Sequence, residues 1–179
     1  MNERYAMHRL FPPVFASVIA LVALGFLLGL PCAMAQTQLS TADDNFISAA
    51  AQGGLTEVKL GEQAVQRGTR ADVQAFGGMM AKDYTAMNSD LKALAVLKGT
   101  TLPYSLDADH QGIVDRMAVL PVAAFDDAYL SAMIDAHTEE AKAFKAESAQ
   151  TKDGDIDSFL GKFIPIVAEH LKHIATMKK

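Results

Sequence analysis

Tryptophan is absent from the 179 residues, cysteine occurs once, and aromatic residues reach only 7%. A lone thiol builds neither a disulfide framework nor a cysteine-based zinc site. Basic charge is also short, with 16 Lys and Arg against 21 Asp and Glu, a formal net charge of −5. Nucleic acid is therefore no expected partner, because phosphate binding needs a basic face. No strand pattern and no low-complexity segment occurs. Nothing resembles the alternating segments of about ten residues that build an outer-membrane barrel. No nucleophile elbow, ordered Ser/His/Asp set or metalloprotease motif points to a hydrolase. What is abundant is apolar, 50% of all residues. That suffices for the core of one ordinary domain, and the many alanines lean it toward helix.

The start of the chain differs from the rest. Arg4, His8 and Arg9 are basic, no charge occurs from Leu10 to Gln38, and Val14 to Leu30 is almost wholly apolar. Ala33-Met34-Ala35 then stands ahead of Gln36. This predicts a secretory signal peptide over 1–35, cleaved after Ala35. The apolar run is long, so an N-terminal membrane anchor is the alternative. Leu30-Pro31 makes Cys32 a poor lipidation site. The mature domain, 36–179, then has no cysteine, suits an oxidising compartment and is expected to be periplasmic or secreted, without stable membrane insertion.

The remaining chain reads as helices separated by stop signals. Thr41-Ala42-Asp43-Asp44 predicts a capped start, and a periodic stretch runs to Arg67 with Gly68 as its stop. Thr69, with Asp72 three residues on, predicts the next cap, for a helix ending at Lys98 before Gly99. A short helix is expected near 106–119, a long one over about 123–150, and a last one over about 156–177. Two antiparallel helical hairpins joined by a long crossover with a short helix predict an all-α, ferritin-like four-helix bundle with a core of about 41–177.

On a helical wheel, the first helix gathers Phe46, Ile47, Ala50, Ala51, Gly54, Val58, Gly61, Ala64 and Val65 into one arc, with Glu57 near its centre. A carboxylate there needs a partner, and Gly54 and Gly61 are expected to leave room beside it. In the second helix Asp83 and Tyr84 lie about 50° to either side of the centre of the apolar arc. In the third, Tyr129, Met133, His137, Glu140 and Phe144 share a stripe, and His137 and Glu140 are three apart, so they face the same way. In the last, His170 points inward, His173 sits at the edge, Glu169 points outward, and Pro165 is expected to kink the helix. At about 1.5 Å per residue, all of these polar groups fall roughly 15–22 Å from their hairpin turns. They can share one interior layer, an arrangement that binds transition metals in such bundles. The candidate ligands are Glu57, Asp83, His137, Glu140 and His170, with Tyr84 as their neighbour. Iron, manganese and copper are the candidate ions, copper because Met79, Met80, Met87 and Met133 lie near. The alternative reading is a metal-free module whose polar layer is a structural hydrogen-bond network.

Several ordered motifs carry a resemblance. Asp44-Asn45-Phe46, Ala49 through Gly61, Met79-Met80-Ala81-Lys82-Asp83-Tyr84, Phe125 through Leu130, Asp135-Ala136-His137 and Glu169-His170-Leu171 are similar to the exported bacterial domain-of-unknown-function family 4142. Its members are often called outer membrane proteins and are assigned a ferritin-like fold. The resemblance implies export and fold over about 41–176, with no settled activity. The family's usual Asp-His in the second helix falls on Asp83-Tyr84, so one imidazole is missing. The chain also lacks the Glu-x-x-His pair repeated on two helices of di-iron ferritins, and full di-iron ferroxidase activity is not expected. A second copy of the chain or an envelope protein is the expected partner.

Overall fold

The chain breaks into helices where its caps and glycines dictate. A computed structural model of the protein describes residues 39–178. It contains α1 (Thr41–Arg67), α2 (Ala71–Lys98), α3 (Ala108–Ala118), α4 (Val122–Gln150) and α5 (Gly154–Met177), with no strand among the described residues. The expected all-α fold is observed. The signal-peptide reading of 1–35, with Cys32, lies outside the described residues.

The capping differs from expectation at two starts. Ser40, not Thr41, caps α1: its hydroxyl accepts from the Asp43 N–H at 3.1 Å and donates to Asp43 Oδ2 at 2.6 Å. The cap thus pairs Ser40 with Asp43, one residue early, and the Asp43 carboxylate binds the Ser40 hydroxyl. Thr69 does not cap α2 through its side chain. Asp126, at the start of α4, accepts from the N–H groups of Thr69 at 3.0 Å and Arg70 at 2.9 Å and from the Thr69 hydroxyl at 2.5 Å. The N–H of the capping residue Arg70 is thus satisfied from another helix, while Asp72 accepts from the Val73 N–H within α2. Asp107 and Asp153 cap α3 and α5 by accepting from His110 and from Asp155 and Ile156 N–H. Both glycine stops hold, for different reasons. Gly99 takes φ 69°, the left-handed conformation that favours glycine. Gly68 has φ −57° and is needed for space, since a Cβ there would lie 2.7 Å from the Ala64 carbonyl oxygen.

Every pair of neighbouring long helices is antiparallel. Along α1 and α2, Gly54 meets Asn88, Gly61 meets Gly77, and Gly68 meets Val73. Along α4 and α5, Phe144 meets Phe159 and His137 meets His170. Asp83 to His170 and Arg70 to Met177 join α2 to α5, while Phe46 to Phe144 and Arg67 over Phe125 join α1 to α4. Across the interior α2 and α4 run parallel, with Phe76 against Tyr129 and Tyr84 against His137. The connection carrying α3 returns the chain to the end from which α2 departed. It is held to α1 by Gln63 on the Val114 carbonyl and by Arg67 on the carbonyls of Met117 and Leu120.

Phe76, Met80, Tyr84, Phe125, Tyr129, Met133 and Leu160 fill the core. Val65, expected inside, is 47% exposed. It packs on Gly78, which offers no side chain to cover it. The glycines of α1 do not open space for Glu57. A Cβ on Gly61 would lie 2.6 Å from the Gly77 carbonyl oxygen, and one on Gly54 would lie 2.1 Å from Asn88 Oδ1. They serve close helix approach and the Asn88 amide instead. α5 runs through Pro165 as one helix.

Candidate functional site

Midway along the bundle, the apolar core is interrupted by one polar layer to which all four long helices contribute. The rings of Tyr84, His137 and His170 form a triangle with centroid separations of 5.8, 5.4 and 5.9 Å. Tyr84 stands at the centre of the bonding. Its hydroxyl meets His137 Nε2 at 3.2 Å and is also hydrogen-bonded to Glu140 Oε2. The i, i+3 spacing of His137 and Glu140 on α4 presents both to this one hydroxyl.

Counting protons narrows the roles. His137 Nδ1 lies 2.9 Å from the Met133 carbonyl oxygen. A carbonyl only accepts, so Nδ1 carries the hydrogen and Nε2 the lone pair. Burial holds the His137 pKa at about 4, with His170 adding to the effect, so the ring is neutral near pH 7. Tyr84 has one proton to give. If it goes to His137 Nε2, the contact to Glu140 requires a protonated carboxyl as donor. Burial pushes the Glu140 pKa to about 7 against the Tyr84 hydrogen bond, so below pH 7 the carboxyl supplies that proton, and once it ionises Tyr84 donates to Glu140 Oε2 instead. Below pH 7 the chain Glu140 O–H to Tyr84 O–H to His137 Nε2, with Nδ1–H to Met133, is neutral and complete. Burial, followed by the charge of Glu140, raises the Tyr84 pKa well above its ordinary value, so the phenol keeps its proton.

The other expected residues arrange themselves around this chain. Asp83 and Tyr84, equivalent on the wheel, take different sides. Tyr84 is buried, whereas Asp83 has a side chain 34% exposed and meets His170 Nε2 at 3.1 Å. His170 is turned inward, with Nδ1 buried and unpartnered. Burial lowers its pKa against the opposing pull of Asp83. Glu57 is buried, and its Oε2 has no hydrogen-bond partner. Burial first, then the charge of Glu140, raises its pKa well above the carboxylate range. The buried Tyr129 hydroxyl, also unpartnered, feels the Glu57 charge. Sequence reading placed Tyr129 on the stripe but gave it no role; its signal is the spacing of two helical turns before His137. His173, expected at the edge, is exposed and meets the Phe76 ring edge-on. Glu169 is exposed, as expected.

Among the described residues, no three His, Cys, Asp or Glu side chains are grouped so as to hold a metal ion. The donor atoms are turned to one another: Tyr84 lies between His137 and Glu140, and Asp83 takes His170 Nε2. In this arrangement Tyr84, Glu140, His137 and Asp83 engage one another, while Glu57 Oε2 and His170 Nδ1 stay unpartnered.

No helix among the described residues is long and apolar enough to cross a membrane. The family model described as Domain of unknown function (DUF4142) matches residues 29–177. Among curated proteins none matches. A solved DUF305 fragment from Deinococcus radiodurans is similar in structure, with a TM-score of 0.69 and 11% identity over 78% of this chain and 97% of that one. At that identity the likeness speaks for the fold alone.

Proposed function

The chain belongs to the DUF4142 family, and from that premise we propose that it is an exported, ferritin-like four-helix bundle that acts by binding rather than catalysis, with a metal-free interior. Its signal peptide is removed after Ala35 and the mature domain works in the periplasm or outside the cell, with an envelope protein or a second copy as partner. The buried polar layer is a hydrogen-bond network that fixes how the four helices register. The observation that supports this is the Tyr84 hydroxyl between His137 and Glu140, the place a shared metal ligand set would need.

One observation favours a second reading. Glu57 Oε2, Tyr129 Oη and His170 Nδ1 are buried without partners. A divalent ion could take the place of the carboxyl protons, with Glu57, Glu140, His137 and His170 as ligands and Asp83 orienting His170. Such ligands must be deprotonated, so binding would release protons.

Thermal melts of wild type and Glu57→Gln, with and without added iron, manganese or copper, separate the two. The metal-free reading expects no metal-dependent rise in either. It also expects Glu57→Gln to melt level with or above wild type, because a buried, unpartnered carboxyl is removed. A rise in wild type that is lost in Glu57→Gln would establish the second reading instead.

A further inference from the structure

The segment between α2 and α3 is pinned by hydrogen bonds at both ends and held in the middle only by the packing of Leu102 against the core. At one end the Thr100 N–H bonds the Ala95 carbonyl at 3.0 Å, and the Thr100 hydroxyl bonds Asp44. At the other the Gln52 side chain holds the Ser105 carbonyl at 3.2 Å and the Asp107 N–H at 3.0 Å. Among the described residues no hydrogen bond ties Thr101, Leu102, Pro103 or Tyr104 to the helices. This span and the side chains of Ala51, Leu55 and Ala95 line a cavity of about 450 Å³. That volume is in the range that small-molecule ligands fill.

The lining has a clear chemical bias. Its walls are apolar, and Lys92 is the one charged side chain among the lining residues. Lys92 is exposed, and Asn88 lies one helical turn before it on the same face. Val96, 75% exposed, and Tyr104, 97% exposed, border the same opening. Large apolar side chains left in water around a concave, apolar space mark a binding site more than a solvated face.

We propose that this pocket binds a small amphipathic carboxylate, with its apolar body against the 101–104 span and its carboxylate at Lys92. Asn88 supplies an amide beside the head group. Tyr104, on the same span, closes over the apolar body. The site is separate from the interior polar layer and stands whether or not that layer holds a metal.

Calorimetric titration of the purified protein with octanoate, and with octanol as the uncharged analogue, tests it. Two variants accompany wild type, Lys92→Glu and Val96→Asp, both at exposed positions that spare the core. Wild type should bind octanoate. Lys92→Glu should weaken octanoate roughly fivefold, the scale of an exposed charge pair, and leave octanol unchanged. Val96→Asp should weaken both ligands. The proposal is overturned if wild type binds no octanoate at millimolar concentration. It is equally overturned if Lys92→Glu leaves octanoate unaffected or weakens octanol to the same extent, or if Val96→Asp changes neither.

Discussion

One hydroxyl serves two titratable partners, and their burial sets how Glu140 and His137 respond to pH. Folding raises the Glu140 pKa from 4.5 to about 7. The folded chain therefore holds a proton that the unfolded chain releases, and stability is lost as pH rises from 4.5 toward 7. At 1.36 kcal/mol per unit the loss is about 3 kcal/mol. His137 works in the opposite sense. Its pKa falls from 6.5 to about 4, so stability is lost as pH falls through that window. Between about 4.5 and 6.5 the two effects oppose each other; above 6.5 the carboxyl acts alone. Glutamine mimics the protonated acid at every pH, donating to Tyr84 as the carboxyl does. Urea unfolding should thus find Glu140→Gln more stable than wild type at pH 8, by up to about 3 kcal/mol, with the gap closing toward pH 5. Equal stability of the two proteins at pH 8 would place the Glu140 proton elsewhere.

Helix contacts turn on glycines that look alike in the sequence. Gly53 and Gly61 both lie inside α1, yet a Cβ on Gly53 meets nothing within 4 Å, while one on Gly61 meets the Gly77 carbonyl oxygen at 2.6 Å. Gly53→Ala should stabilise the fold by about 0.5–1 kcal/mol through helix propensity. Gly61→Ala should force α1 from α2 and cost about 1–3 kcal/mol. Chemical denaturation of both variants checks the contrast, and a Gly61→Ala protein as stable as wild type would refute the close approach. Element ends were legible in the sequence where the signal is local: the stops at Gly68 and Gly99, and the turn around Asp153. They were not legible where the partner is distant. Asp126 lies 56 residues from Arg70, whose N–H it accepts, and no spacing rule near Thr69 reveals it. The direction of Val65 was misread because the wheel knows nothing of Gly78 on the facing helix.

Across the whole molecule, the antiparallel neighbours and the parallel diagonal of α2 and α4 bring four distant segments to one level. The rise per residue alone was enough to place Tyr84, His137, Glu140 and His170 in that layer. It could not say which atoms face each other. Asp83 and Tyr84 are symmetric about the arc of α2, and only the packing of α5 against α2 assigns Asp83 to His170 and leaves Tyr84 to α4. Glu57 was correctly expected in the interior, but a helical wheel cannot show that its carboxyl finds no hydrogen-bond partner for Oε2. The central claim is that a proton on Glu140, not a cation, completes this layer, and that it leaves as pH rises through about 7. The most direct measurement is the pH titration of the Glu140 carboxyl carbon by nuclear magnetic resonance, on metal-free protein and again with manganese added. The account predicts a midpoint near pH 7 that manganese neither shifts nor broadens. A midpoint in the ordinary carboxylate range, or a signal that manganese broadens away, would contradict it.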